Sequence, residues 1–238
     1  MIDAKSEYIE YRVDNIRIIF TTKKNNKNYN RNTYEGKENL ENLKSLYNLE
    51  KVIYVNQIHS DVVINYDGSE GIENSRGDGI VTNLNNVAIG IFTADCVPVI
   101  MVDEEKKVIA AIHSGWRGTI SNIVGKAIEA MEVKYGSIAK NIKVFIGPHN
   151  KECCYEVSEE LINRFKEDGI FKDDETIHNG RYLNLQRCIE IQLLDRHVLQ
   201  ENINCCNLCT YCDSQIKFYS YRREEDREGR MYSFVFIE

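Results

Sequence analysis

Three residues of this chain could form one chemical centre: Cys96, His113 and His59. Cys96 and His113 lie at the ends of two hydrophobic segments joined by a short charged turn, and His59 follows another apolar segment. Two imidazoles and one thiolate can hold a zinc ion with one coordination position left open for water or substrate. The cysteine and a histidine could instead form a nucleophile and its general base. The residue types alone leave both chemistries open.

The surrounding elements are expected to bring these residues together. A strand that begins after Cys96 and a strand that ends at His113 form a hairpin if they are antiparallel, so the start of one lies beside the end of the other. His59 follows a predicted strand at residues 52–55 and could reach the same edge. The alternative is a small buried cysteine and two ordinary turn histidines. Asp95 and Pro98, which flank the cysteine, argue against this alternative, because such residues are typical of a specific turn at the strand ends.

The pattern along the chain predicts a mixed α+β fold. Apolar segments at residues 87–92, 97–102 and 108–112 predict a three-stranded meander with both faces covered. Further strands are predicted at 16–21, 143–146, 216–221 and 231–237, and helices at 38–49, 158–166 and 185–200. Another helix should follow Gly118, capped by Thr119 or Ser121. Its apolar face would consist of Ile123, Ala127, Ile128 and Met131.

Composition narrows the classes of function. The chain has 238 residues, a formal net charge of -7 and 30 dispersed basic residues, so nucleic-acid binding is not expected. The N-terminus lacks the apolar core of a signal peptide, and no apolar segment approaches the length of a membrane span. The eight cysteines are then expected to be reduced thiols or metal ligands. The expected location is the cytoplasm.

Cysteines near the C-terminus form a second pattern. Cys206, Cys209 and Cys212 follow the Cys-x-x-Cys-x-x-Cys spacing of a zinc or iron–sulfur site. A fourth ligand could come from Cys205, Cys153 or Cys154. Chance clustering is the alternative interpretation.

Several short motifs together resemble the laccase-domain family, also called the YfiH family. They are TADCVP at 93–98, HSGWRG at 113–118, QIH at 57–59, GP at 147–148, CYEV at 154–157, CT at 209–210, SYRR at 220–223 and GRM at 229–231. The resemblance implies one laccase domain over residues 1–238, folded as a four-layer α/β/β/α sandwich like that of the cytotoxic necrotizing factor toxins. It also implies a zinc ion bound by His59, Cys96 and His113. The implied activity is phosphorolysis of adenosine, inosine, guanosine and methylthioadenosine, together with adenosine deamination.

This chemistry assigns roles to several residues. A zinc ion with three protein ligands lowers the pKa of its bound water, and the resulting hydroxide could attack the purine ring. In this role Cys96 and His113 act in catalysis by holding the metal. Phosphorolysis needs a phosphate placed against the anomeric carbon, and Arg117 or Arg222 could bind it in bidentate fashion. Asp95 or Asp78 could orient a ligand, a water or the substrate. For each arginine, a surface ion pair is the competing interpretation.

Two other enzyme classes remain open. The first is a polyphenol oxidase, an older label for this family. A multicopper oxidase needs roughly ten imidazoles, and this chain has five histidines. Only a single copper ion in the zinc site is therefore compatible with that label. The second class is a hydrolase or amidase with Cys96 as nucleophile and His113 as base, for which a peptidoglycan precursor is one substrate. That class leaves His59 without a role. A module whose zinc is purely structural is a third, non-enzymatic alternative.

Overall fold

The structure is a computed structural model that describes residues 7–172, 174–225 and 227–238. Its strands are β1 (Tyr8–Val13), β2 (Ile16–Thr21), β3 (Lys51–Ile53), β4 (Val63–Asn65), β5 (Gly79–Thr82), β6 (Val87–Thr93), β7 (Val97–Asp103), β8 (Val108–Ser114), β9 (Lys143–Ile146), β10 (His178–Asn179), β11 (Tyr182–Leu183), β12 (Ile203–Cys205) and β13 (Met231–Ile237). Its α-helices are α1 (Tyr34–Tyr47), α2 (Trp116–Ile120), α3 (Ile123–Tyr135), α4 (Glu159–Glu167) and α5 (Leu185–Asp195). Among the described residues, no helix is long and apolar enough to cross a membrane.

The strands form two large sheets and one small hairpin. The five-stranded sheet has the order β1-β2-β13-β6-β3, and the six-stranded sheet has the order β12-β9-β7-β8-β5-β4. Strands β6, β7, β8 and β13 are buried along their whole length. Such continuous apolar burial means that both faces of each sheet are covered.

Three layers of apolar side chains separate four layers of secondary structure. Helix α1 packs on the outer face of the five-stranded sheet, the two sheets pack face to face, and α2 to α5 cover the outer face of the six-stranded sheet. The outer layer at α1 contains Leu40, Leu43, Phe92 and Phe234. The layer between the sheets contains Ile18, Ile89, Ile100 and Val235, and the third layer contains Val99, Ile112, Ile128 and Ile189. The α/β/β/α sandwich implied by the resemblance is therefore confirmed.

The prediction of a three-stranded meander was wrong for one strand, β6. Strands β7 and β8 form the expected antiparallel hairpin, but β6 lies in the other sheet, between β13 and β3. All three segments are apolar on both faces, so their pattern does not reveal which sheet each one joins. The chain crosses from one sheet to the other between Thr93 and Val97, and the positive φ of 96° at Asp95 lies in this crossing. This crossing places Cys96 at the junction of the two sheets.

Other boundaries also differ from the prediction. Helix α1 begins at Tyr34 because Thr33 caps it by accepting a hydrogen bond from the Gly36 amide. Helix α3 is capped by Asn122, which accepts from the Gly125 amide, and neither predicted cap is used. Helix α5 ends at Asp195, before the predicted end at residue 200.

The predicted strand at residues 216–221 is absent from the structure. Ile216 and Phe218 are buried around an exposed Lys217, so the alternation seen in the sequence is real. The backbone, however, bonds irregularly: the Tyr219 amide donates to Met231 Sδ, and the Lys217 carbonyl accepts from the Lys23 amide. The segment packs against the sheet without joining its ladder.

Candidate metal centre and active site

The structure brings Cys96, His113 and His59 together, as the sequence predicted. In the β7–β8 hairpin, Pro98 pairs with His113, so Cys96 lies just outside the ladder beside the imidazole. His59 reaches the same point from the loop after β3, with a left-handed φ of 57°. Its Nε2 lies 3.9 Å from Cys96 Sγ, and the two imidazole rings are 4.8 Å apart. One ligand atom from each residue lies within 4.8 Å of the others.

The buried carboxylate of Asp78 positions both histidines. Its Oδ1 lies 2.8 Å from His113 Nδ1 and accepts from the His59 amide at 3.0 Å. Its Oδ2 accepts from the Ser60 amide and hydroxyl at 2.6 and 2.7 Å, and from the Ile58 amide. A neutral His113 that donates its Nδ1–H to Asp78 presents the lone pair of Nε2 as a metal ligand. Asp78 has no exposed surface, so it lies behind the histidine and not against a substrate.

Hydrogen bonding outweighs burial in setting the pKa of Asp78. Burial alone would raise it, but the hydrogen bond and charge of His113, together with the donors of Ser60, lower it to about 2. A carboxylate that accepts several hydrogen bonds in its charged form behaves in this way. Asp78 is therefore a fixed anion across the physiological pH range.

The thiol of Cys96 is poised to ionise. Burial would raise its pKa, but the charge and hydrogen bond of His113, followed by those of His59, lower it to about 6. Burial likewise would lower the pKa of His113, whereas Cys96 and Asp78 raise it to about 9. A thiolate is the form that binds a metal or acts as a nucleophile.

Gly115 leaves the space that this cluster occupies. A Cβ atom at this position would lie 3.0 Å from Cys96 Sγ and 3.2 Å from His59 Cδ2. Both contacts are tighter than ordinary van der Waals packing. The glycine of the HSGWRG motif therefore has a steric role next to the ligand atoms.

A cavity of about 580 Å³ opens over this cluster. Its wall includes the aromatic residues Phe92, Trp116 and Tyr155. The Arg222 guanidinium stacks on Tyr155, 4.8 Å from the ring centroid. Arg31 and Arg230 line the same cavity. This volume and this mixture of apolar walls with a few charged groups suit a small polar molecule with an aromatic part.

The two predicted arginines differ in position. Arg222 lines the cavity, and its Nη1 donates to the carbonyls of Glu156 at 2.5 Å and Cys154 at 3.5 Å. Arg117 is exposed, does not line the cavity, and stacks over Trp116 at 4.4 Å. Sequence reasoning missed Arg31 because it lies in a polar loop without periodicity. Arg230 and Tyr155, in contrast, lie inside motifs that carried the resemblance.

Asp95 holds the far wall of the cavity. Its Oδ1 accepts from Thr210 Oγ1 at 2.7 Å, and its Oδ2 accepts from Ser220 Oγ at 3.0 Å and from the Arg222 amide at 2.8 Å. The carboxylate thus joins the crossing between the sheets to two C-terminal segments. Its positive φ is a backbone strain of the kind found at functional sites.

Comparisons with known proteins identify the family of this chain. The family model described as multi-copper polyphenol oxidoreductase laccase matches residues 25–238. A purine nucleoside phosphorylase of Clostridium acetobutylicum is 43% identical over 231 residues, which cover 97% of this chain and 96% of that protein. An adenosine deaminase from an unknown prokaryotic organism is 31% identical over 163 residues, 67% of this chain and 62% of that protein. A hypothetical protein of Bacillus licheniformis called YfiH shares the fold, with a TM-score of 0.88 at 22% identity over 100% of this chain and 98% of that one.

Proposed function

The chain belongs to the multi-copper polyphenol oxidoreductase laccase family, and we propose that it is a zinc-dependent purine nucleoside phosphorylase with adenosine deaminase activity. The observation that carries this proposal is the convergence of His59, Cys96 and His113 at the base of a cavity of about 580 Å³. Relatives that bear the names purine nucleoside phosphorylase and adenosine deaminase support the substrate class.

The donor set fits zinc. Two imidazoles and a thiol with a lowered pKa match the ligands of catalytic zinc, and Asp78 supplies the carboxylate partner that such a histidine ligand needs. When bound here, zinc would supply a Lewis acid and lower the pKa of a coordinated water. Copper can occupy the same donors. A multicopper centre lacks its ligands, because the described residues contain no further cluster of histidines.

The cavity wall suits the two parts of a nucleoside phosphorolysis reaction. Tyr155 and Phe92 offer aromatic surface for a purine, and the arginines of the wall offer donors for phosphate. In the reaction, a phosphate oxygen bonds to the anomeric carbon while the bond to the purine nitrogen breaks and the purine takes up a proton. Arg222 is already held by two carbonyls and by stacking on Tyr155, so it is oriented before phosphate arrives. Such orientation reduces the entropy lost on binding.

Arg222 and Arg117 test this assignment as a matched pair. We expect Arg222→Gln to raise the KM for phosphate at least about tenfold, because a hydrogen bond between charged groups contributes about 1.5–3 kcal/mol. Arg117→Gln, on an exposed side chain outside the cavity, should leave the KM for phosphate unchanged. Steady-state kinetics with inosine and varied phosphate measure both variants. If the two substitutions changed the KM for phosphate equally, Arg222 would not be the residue that binds phosphate.

A Cys–His hydrolase or amidase is the second candidate, and the lowered pKa of Cys96 beside His113 favours it. His59→Ala separates the two proposals. A zinc enzyme loses its metal and its activity in this variant, whereas a Cys96 nucleophile with His113 as base keeps its machinery. His178→Ala, outside the cluster, is the control. Zinc content, release of hypoxanthine from inosine and phosphate, and hydrolysis of an amide substrate are measured on the same samples, and amide hydrolysis that survives the loss of zinc would favour the Cys–His enzyme.

A further inference from the structure

Four cysteines converge at a second place in the molecule. Cys153 and Cys154 lie in the loop before α4, and Cys209 and Cys212 lie in the segment after β12. Their four Sγ atoms all lie within 4.8 Å of one another, and those of Cys153 and Cys212 are 3.6 Å apart. Cys153, Cys209 and Cys212 border a surface cleft of about 540 Å³.

These distances fit a single tetrahedral ion. A zinc–sulfur distance of about 2.3 Å separates the sulfur atoms of a tetrahedron by about 3.8 Å. A disulfide needs a separation of about 2.05 Å, which is well below the 3.6 Å between Cys153 and Cys212. An iron–sulfur cluster places several iron atoms between its cysteines and needs a wider set of sulfurs. Four cysteine sulfurs at tetrahedral spacing are typical of a structural zinc site.

The main chain holds the two cysteine-bearing segments together. The Thr210 amide donates to the His149 carbonyl at 2.9 Å, and the His149 amide donates to the Leu208 carbonyl at 3.3 Å. His149 and Cys209 thereby form an isolated bridge between the two segments. The four sulfurs therefore lie on a preformed frame.

We propose that Cys153, Cys154, Cys209 and Cys212 bind one structural Zn²⁺ ion. This differs from the ligand set suggested by the sequence spacing. Cys205 points its thiol at Glu190 Oε1 at 3.5 Å, and the Cys206 amide donates to the Ile146 carbonyl at the end of β9. Neither residue belongs to the cluster. The Cys206-x-x-Cys209 half of the pattern is therefore coincidental, and the vicinal pair Cys153 and Cys154 completes the site.

This second ion would hold the wall of the first cavity. Tyr155 follows Cys154 directly, and the Cys154 carbonyl accepts from Arg222 Nη1. Thr210, next to Cys209, donates to Asp95 at 2.7 Å. Fixing the two cysteine-bearing segments to each other thus fixes three residues that face the cavity. The ion has no open position for substrate, so its role is structural.

Zinc content of the full chain, purified under reducing conditions, tests the proposal. With both metal sites, the wild type should hold about two zinc ions per chain, and Cys153→Ser and Cys212→Ser about one each. Cys205→Ser with Cys206→Ser is the matched control and should keep the wild-type content. His59→Ala should also fall to about one, through loss of the other ion. If only the active-site proposal fails, His59→Ala keeps the wild-type content while Cys212→Ser still loses zinc.

Cobalt substitution keeps the test informative if a serine variant folds poorly. In protein stripped of zinc, added Co²⁺ should give the intense visible absorption of a cobalt tetrathiolate in the wild type and in His59→Ala. Cys212→Ser should lack that absorption. Wild-type zinc content in Cys212→Ser, bound iron in place of zinc, or a Cys153–Cys212 disulfide found by mass mapping of the reduced preparation would each overturn the proposal.

Discussion

At the scale of single residues, Asp78 determines the geometry of the candidate active site. It bonds to His113 and to three consecutive backbone amides of the loop that carries His59, so one buried carboxylate orients both imidazoles. The sequence predicted the three ligand candidates from residue type and strand position. It did not show that Asp78 is buried behind them, because depth depends on how the two sheets pack.

Replacing Asp78 tests this role. We expect Asp78→Asn to weaken zinc binding by about 10–100-fold, because the amide cannot hold the His113 tautomer as the carboxylate does. Asp61→Asn, on a partly exposed residue paired with Lys126, is the control and should leave zinc affinity unchanged. Competition with a chromophoric chelator measures both. Unchanged affinity in Asp78→Asn would show that the carboxylate does not act through the ligand.

His149 makes a separate prediction about pH. Its imidazole is buried, its Nδ1 lies 2.8 Å from the Gly147 carbonyl, and burial lowers its pKa from 6.5 to about 4. Between these two values the unfolded chain binds more protons than the folded one. The free energy of unfolding should therefore rise with pH from about 4 to 6.5, and His149 contributes at most about 3 kcal/mol to this rise.

The variant His149→Asn isolates this contribution. The Asn side-chain amide can replace the Nδ1–H donor but does not titrate, so its stability should depend less on pH in that window. Urea unfolding of wild type and variant from pH 4.5 to 7.5 measures the difference. Parallel stability curves for the two proteins would mean that His149 is not the group responsible.

At the scale of elements, the site is built where two sheets meet. The β7–β8 hairpin was predictable because two apolar segments flank a short charged turn, and it brings Cys96 beside His113. The sheet that β6 joins was not predictable, because the sequence of a strand buried on both faces does not indicate which strands it pairs with. The same limit applies to the four-cysteine cluster. Spacing identified Cys209 and Cys212, but only the fold shows that Cys153 and Cys154 complete it.

Helix α3 provides a test of this packing. Asn122 caps the helix from a left-handed conformation with φ 56°, and α3 covers the sheet that carries His113. We expect Asn122→Ala to lower the free energy of unfolding by about 1–2 kcal/mol, through loss of the cap and strain at positive φ. The midpoint of thermal unfolding should fall by about 2–4 °C per kcal/mol.

Asn122→Asp keeps the capping oxygen and should remain close to the wild type in this measurement. Zinc content should be the same in all three proteins, because α3 supplies no ligand. A loss of zinc in Asn122→Ala would show that the helix positions the site more directly than its contacts indicate.

At the scale of the whole molecule, an acidic protein presents a local basic cavity. The formal net charge is -7, yet Arg31, Arg222 and Arg230 all line the space above the ligand cluster. Such local placement lets a small anion bind against the overall field. The cavity wall lies between the ligand cluster and the four cysteines, so the two proposed zinc sites would lie on opposite sides of the same wall.

The central claim is that the metal held by His59, Cys96 and His113 is required for phosphorolysis. The most direct test removes zinc with a chelator, confirms the loss by metal analysis, and follows hypoxanthine release from inosine and phosphate while zinc is added back. We predict that activity disappears on removal and returns with added zinc in wild type, but does not return in His59→Ala. Full activity in zinc-free protein, lost only when Cys96 is alkylated, would contradict the claim and favour the thiol nucleophile.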